Sequence, residues 1–324
     1  MQLIFLGTSS GTPTRRRNVS GLALSLRGGR DWILVDCGEG TQHRLLRTPL
    51  STQRLQAICI SHVHGDHCYG LPGLLASAQL NGRTAPLSLI GPASLWDYLQ
   101  GVIASTALHL DFPLHFLDVD RVPAGLEIGG FGISAWPLSH RVPSFAFRFV
   151  EASVPLRLLS GRLERDGIPR GPLWGALQRG ESVQLPDGLC VDGADYTRPA
   201  WRARSVVVGG DNDCPDLLGE ACSDADLLVH EATYDEEIRV RIGPEPMHSS
   251  AARVAAFAER RGLPHLVLTH FSPRYQKGGG RGLPLARLEQ EARERYSGDL
   301  WLAEDYDCFE LDRNGRLQHS NLLR

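Results

Sequence analysis

The apolar run Leu55-Gln56-Ala57-Ile58-Cys59-Ile60 passes through Ser61 straight into His62-Val63-His64-Gly65-Asp66-His67. The run reads as a buried β-strand, so four ligand-type side chains stand where a strand meets a loop. Donors at i, i+2, i+4 and i+5 cannot all face one ion from a regular strand or helix, whose side chains repeat every 2 or 3.6 residues. A loop capping a strand can divide them between two adjacent ions. Neutral imidazoles and a carboxylate are the N and O donors that zinc takes at about 2.0 to 2.2 Å. Four such residues in six positions, in a chain with 12 histidines, make a chance grouping of core histidines a poor account of the segment.

A two-metal site needs three more groups, each at another strand end. His140 follows Gly132-Ile133-Ser134-Ala135-Trp136-Pro137-Leu138-Ser139, Asp211 follows Val206-Val207-Val208-Gly209-Gly210, and His270 follows Leu266-Val267-Leu268-Thr269. Loops at strand ends are where α/β architectures gather their chemistry. Taken singly, His140 and His270 read equally well as core histidines and Asp211 as a helix cap. With the first cluster they form a coherent set.

The rest of the chain alternates strands and helices. Leu3–Leu6, Leu22–Leu26, Trp32–Val35, Ser205–Val208, Asp226–Val229 and His265–Thr269 read as strands; Leu71–Leu80, Pro92–Thr106, Pro215–Cys222 and Ser249–Arg261 read as helices. Strands and helices at both ends predict two packed sheets with helices outside. From Glu151 to Ala203 this pattern gives way to Gly- and Pro-rich chain with little periodicity, including Gly167-Ile168-Pro169-Arg170-Gly171-Pro172. So much irregular chain is either a linker or functional. The apolar Leu158, Leu159, Leu173, Trp174 and Leu177 argue against a freely solvated linker.

Composition narrows the function classes. No apolar run approaches the roughly 18 residues of a membrane span, and the N-terminus lacks a signal pattern, so a cytoplasmic protein is expected. Seven widely spaced cysteines never form C-x-x-C, which points to small buried side chains and away from disulfides or a zinc ribbon. A net charge of −3 provides no global field for a polyanion, so a nucleic-acid partner would need a local patch. Lys277 is the only lysine among 34 basic residues. The arginine fork suits phosphate, although genomic base composition produces the same bias. Between Arg157 and Arg179 five arginines (157, 162, 165, 170, 179) stand against Glu164 and Asp166, a local balance of +3.

Three further stretches, together with the ligand order, carry a family resemblance. They are Leu6-Gly7-Thr8-Ser9-Ser10-Gly11-Thr12-Pro13-Thr14 with Arg17-Asn18, Asp36-Cys37-Gly38-Glu39-Gly40-Thr41-Gln42, and His230-Glu231-Ala232-Thr233 with His248-Ser249-Ser250. The chain resembles the metallo-β-lactamase superfamily and, within it, the short form of the ribonuclease Z family of tRNA 3′-processing endonucleases. Asn212 and Ser250 stand where that family commonly has threonine, and neither change removes a ligand. The resemblance implies an α/β fold, a metallo-β-lactamase-like αββα sandwich formed by a single domain over residues 1–324. Residues 151–203 would be an inserted, flexible tRNA-binding arm that protrudes as an exosite.

Residue by residue, the resemblance implies His62, His64 and His140 on one zinc, Asp66, His67 and His270 on the other, and Asp211 bridging; manganese also fits such donors. Asp66, Glu231 and His248 are the expected catalytic residues. Metal-activated water attacks the phosphodiester, and His248, oriented by Glu231, protonates the leaving ribose oxygen. The partners implied are precursor tRNA and a second copy of the chain, with no membrane. Arg157, Arg162, Arg165, Arg170 and Arg274 are candidate RNA contacts. Asp36 and Glu39 are expected to support the site from behind, and His43, His109, His115, His265 and His319 to be structural. Arg15-Arg16-Arg17 reads as a solvated basic run or a phosphate contact. A small-molecule phosphodiesterase or arylsulfatase-like hydrolase would use the same metal set, and the long arm is what separates the two readings.

Overall fold

Successive side chains of a strand point to opposite faces, and in Gln2–Gly7 both faces are buried. Leu3 and Phe5 enter one hydrophobic cluster, Ile4 and Leu6 another. Strands buried on both faces read as continuous apolar runs, which is why these are visible in the sequence. The computed structural model describes residues 1–186, 188–276 and 282–323. They divide into two compact units, residues 1–150 with 204–324 and residues 151–203.

The larger unit holds two sheets. One has eight strands in the order Leu317–Asn321, Asp307–Leu311, Gln2–Gly7, Gly21–Ser25, Trp32–Val35, Leu55–Cys59, Leu87–Gly91, Leu114–Asp118. The other has seven, in the order Asp299–Leu302, His265–Thr269, Leu227–Glu231, Ser205–Val208, Ser144–Glu151, Phe131–Leu138, Leu126–Ile128. Between them lies a core to which one sheet gives Leu3, Phe5, Leu24 and Ile33 and the other gives Phe131, Phe147, Phe149 and Val206. The helices Leu71–Leu80 and Ala93–Thr106 cover the outer face of the first sheet; Ala251–Arg261 and Ala286–Arg293 cover that of the second. The architecture is the expected αββα sandwich. Its site-bearing strands are parallel within each sheet, so their C-terminal ends lie on one edge.

The helix expected over Pro215–Cys222 is a single 3-10 turn, Pro215–Leu218. Gly219 follows it, packed so closely that a Cβ there would overlap the Arg261 guanidinium. Two of the seven free cysteines depart from the buried expectation: Cys190 is exposed and Cys214 half-buried. Among the described residues no helix is long and apolar enough to cross a membrane.

The segment Glu151–Ala203 is not irregular. It contains helices Ser160–Arg165, Pro172–Gln178 and Gly193–Tyr196 and a ladder between Leu156–Leu158 and Thr197–Pro199. Leu163, Ile168, Leu177, Val191 and Tyr196 form its own hydrophobic cluster. Elements of two to seven residues are too short to show a period, so their core is hidden in the sequence.

Phe147 is fully buried between the sheets. Phe147→Ala should therefore cost about 3 to 5 kcal/mol, read from the urea midpoint; a loss below about 1 kcal/mol would show a loosely packed interface.

Candidate metal centre and active site

Six strands of the two sheets deliver the site. Asp36 follows Trp32–Val35, the His62–His67 segment follows Leu55–Cys59, and His140 follows Phe131–Leu138. Asp211 follows Ser205–Val208, Glu231 ends Leu227–Glu231, and His270 follows His265–Thr269. Close approach of backbones makes two glycines necessary. A Cβ on Gly38 would lie 2.3 Å from the Asp66 carbonyl, and one on Gly210 would lie 2.6 Å from Ser61 Cβ. Asp36 and His270 adopt left-handed backbone conformations (φ 59° and 57°), which are uncommon for residues with a Cβ and concentrate at functional sites.

Among the described residues the ligand-type side chains converge in three groups, one of them Asp211 with His248 and His270. One atom from each of His62, His64, His140 and Asp211 lies within 4.8 Å of the others, and the same holds for Asp66, His67 and His270. Asp211 faces both of these groups: Oδ2 is 3.6 Å from His62 Nε2 and 3.7 Å from His140 Nε2, while Oδ1 is 3.5 Å from His67 Nε2. Every donor atom is imidazole nitrogen or carboxylate oxygen, the chemistry that divalent transition metals accept.

Hydrogen-bond partners fix which nitrogens face inward. His140 Nδ1 lies 2.9 Å from the Met247 carbonyl, which can only accept, so Nδ1 carries the proton and Nε2 is bare. Ser61 Oγ donates to Asp36 Oδ2, so at 3.0 Å it accepts from His62 Nδ1 and leaves His62 Nε2 bare. His67 Nδ1 donates to Asp36 Oδ2 at 2.7 Å. The bare Nε2 atoms of His62 and His140 each stand 3.1 Å from His64 Nδ1. Such neutral lone pairs, aimed at one point, fit a cation. Burial holds His62, His64 and His140 below the ordinary imidazole pKa. Around His67 burial acts the same way, but Asp211, Asp66 and Asp36 outweigh it and push the pKa well up, marking a place that favours positive charge.

His248 stands beside this cluster. Its Nδ1 is 3.1 Å from Glu231 Oε1 and 3.7 Å from Asp211 Oδ2. Burial lowers its pKa, yet Glu231 and Asp211 overcome that and raise it to about 9. Glu231 also accepts from the backbone of Ser249 and Thr233 and from the Thr233 hydroxyl. Asn212, one of the two departures, is buried and reaches His230 Nε2 through its side chain. Ser250, the other, caps the helix Ala251–Arg261.

Of the expected supporting pair, Asp36 acts through its carboxylate, while Glu39 offers its backbone carbonyl to Asn18 Nδ2. Arg274 is exposed and lies over the Tyr234 ring, which packs nearly perpendicular to His248. Arg157, Arg162, Arg165 and Arg170 belong to the smaller unit, where Arg162 pairs with Asp166 and Arg170 with Glu164. Residue-type reasoning misses Ser61, the Met247 carbonyl and Thr233. No spacing rule identifies them, because what they contribute is the orientation of a ligand; for Met247 and Thr233 that ligand arrives from elsewhere in the chain, and for Ser61 it is the next residue.

Fold and cluster together define a metallo-β-lactamase-fold protein with a divalent-metal type of site. The metallo-β-lactamase fold protein YhfI of Bacillus subtilis superposes with a TM-score of 0.66 at 18% identity, over 98% of this chain and 99% of that one. Human tRNase Z, short form, gives 0.63 at 26% identity over 96% and 100%. A family profile described as Anti-Pycsar protein Apyc1 matches residues 1–145. The ribonuclease Z of Marinobacter nauticus is 47% identical over 317 residues, 98% of each chain, and that of a Pseudomonas putida strain is 51% identical over the same length and shares. The chain belongs to the ribonuclease Z family, metal-dependent endoribonucleases of the hydrolase class.

Asp36 holds His67 directly and His62 through Ser61. Asp36→Asn should lower divalent-metal affinity about 10- to 100-fold in chelator competition, the usual effect of losing a ligand's outer partner, while the fold stays intact by circular dichroism. Unchanged affinity would mean that neither histidine depends on it.

Proposed function

We propose that this chain is a zinc-dependent phosphodiesterase that removes the 3′ trailer from tRNA precursors and leaves a 3′-hydroxyl on the tRNA. The observation that carries the reading is the Asp211 carboxylate, whose two oxygens face two different groups of inward nitrogens, in a chain of this family. His62, His64 and His140 with Asp211 would hold one ion; Asp66, His67 and His270 with Asp211 the other. Two divalent ions supply a nucleophile from water near neutral pH and neutralise charge on the phosphoryl oxygens.

The chain's own residues do the rest. Attack at phosphorus expels a ribose 3′-oxygen, a poor leaving group unless it is protonated. His248 has Nδ1 tied to Glu231, so Nε2 is the atom that presents a proton to that oxygen. Glu231 stabilises the imidazolium and keeps the ring turned. Asp66 is fixed by the Gly11 backbone N–H at 2.6 Å, which ties the Gly7–Asn18 loop to the donor set.

Precursor tRNA, rather than a small diester, is favoured by the length of the likeness. Identity to ribonuclease Z runs through 98% of the chain, including Glu151–Ala203, whereas the Apyc1 profile stops at residue 145. Exposed Arg157 and Arg165 in that segment are suited to gripping a sugar-phosphate backbone by charge. The reading carries with it a cytoplasmic location and a homodimer, the latter open to analytical ultracentrifugation.

The direct test is incubation of the purified protein with a 3′-extended tRNA and mapping of the product ends; an intact precursor under metal-replete conditions would sink the reading. His248→Ala should keep its metal content by elemental analysis and slow cleavage about 10²- to 10⁴-fold. Cleavage by that variant at the wild-type rate, with chemistry limiting, would remove His248 as proton donor. Replacing Arg157 and Arg165 by glutamine should weaken precursor binding and flatten its log–log salt slope by about one for each phosphate that is no longer neutralised, with hydrolysis of a small nitrophenyl diester unchanged.

A further inference from the structure

Thr233 is 1% exposed and sits between the two halves of the site. Its Oγ1 has four polar neighbours: Glu231 Oε2 at 2.6 Å, His270 Nδ1 at 3.1 Å, the His270 carbonyl at 3.1 Å and His248 Nδ1 at 3.4 Å. We propose that the Thr233 hydroxyl is a positioning group that couples the donor set at His270 to the proton donor His248 through Glu231. The choice of substrate below rests on the tRNA-processing reading; the bond inventory does not.

A hydroxyl has one proton to give and lone pairs with which to accept. The proton goes to Glu231 Oε2, the nearest of the acceptors and the ionised one. With that proton spent, the contact to His270 Nδ1 is a bond only if the imidazole donates. The second neighbour of that nitrogen, Asp211 Oδ1 at 3.4 Å, is likewise an acceptor. His270 is thus held in the tautomer whose bare Nε2 stands 3.2 Å from Asp66 Oδ2 and 3.1 Å from His67 Nε2. This is the orientation a ligand of that group needs.

The same proton sets Glu231. With Oε2 engaged by the Thr233 hydroxyl and N–H, Oε1 is left to His248 Nδ1, to the Ser249 N–H at 2.9 Å and to the Asn212 N–H at 3.4 Å. Each carboxylate oxygen has its own duty, one toward the ligand and one toward the acid. Without the hydroxyl, Oε2 keeps only the Thr233 N–H while Oε1 keeps its backbone donors, so the carboxylate is held less tightly at the end away from His248 and positions the imidazole less sharply. A β-branched residue suits the task, because its χ1 is confined and the hydroxyl cannot swing away.

Thr233→Val keeps the shape and removes the hydroxyl; Thr233→Ser keeps the hydroxyl. Three readouts separate coupling from simple packing: zinc affinity by chelator competition, kcat and KM on a 3′-extended tRNA at saturating metal, and hydrolysis of a nitrophenyl diester, whose leaving group departs without a proton. For Thr233→Val we expect zinc affinity down about 10- to 100-fold. We expect its kcat on the precursor down about tenfold or more with KM within about twofold, and diester hydrolysis at saturating metal reduced by a smaller factor than precursor cleavage. Thr233→Ser should restore both affinity and kcat. Wild-type values for Thr233→Val, loss of only one of the two properties, or a serine variant as impaired as the valine one would each overturn the coupling. Should the valine variant fail to fold, Thr233→Ala is compared with Thr233→Ser in its place. If the wild-type protein leaves the precursor intact yet hydrolyses the diester, the tRNA reading fails. Thr233 is then decided on zinc affinity and its recovery by serine.

Discussion

A carboxylate buried among imidazoles organises this protein. Asp211 is 3% exposed and lies within 3.7 Å of His62, His67, His140, His248 and His270. Removing an ion of that size from water costs several kcal/mol, and only nearby positive charge offsets it. Imidazolium protons do this in part, and divalent ions do it more completely. The neighbours of Asp211 come from both sheets, so the separation of the sheets sets the geometry of the site. The phenylalanine-rich core between them is therefore a functional spacer as much as a source of stability.

Much of this is legible from residue types alone. The αββα layering shows because site-bearing strands such as Leu55–Cys59 and Ser205–Val208 are buried on both faces and read as apolar runs. The seven ligand-type residues show because each stands at a strand end, where a histidine or aspartate is conspicuous, and the structure brings them together in the groups described. The strands Asp307–Leu311 and Leu317–Asn321 do not show: the first mixes Asp and Glu with its apolar residues, and the second carries exposed Gln318, His319 and Ser320. The order inside Glu151–Ala203 escapes because its elements are shorter than any period that could reveal them.

What sequence reasoning cannot reach is the choice of tautomers. That choice is made by the Met247 carbonyl for His140, by Ser61 for His62 and by Asp36 for His67, partners up to a hundred or so residues away. Met247 itself has φ 53°, joining Asp36 and His270 among non-glycine residues in the left-handed region. Each such residue costs on the order of 1 to 3 kcal/mol and persists only where its surroundings over-determine it. Of the five such residues described, Ala107 and Tyr306 lie elsewhere and the other three aim or orient ligands, where a relaxed backbone would point the side chain or the carbonyl elsewhere.

Val150 and Ser205 are opposite one another in an antiparallel ladder, and all of Glu151–Ala203 is threaded between these two residues. Topologically the smaller unit is the turn of a β-hairpin. Within it, Leu156 again pairs with Pro199, so its own ends are drawn together. Closing a turn costs free energy that grows only with the logarithm of its length, and a turn with its own core also brings its ends together by folding. Residues could be gained or lost there over evolutionary time without shifting a single register in the sheet that carries Asp211. The smaller unit is thus free to change in length while the strands that carry the site stay fixed.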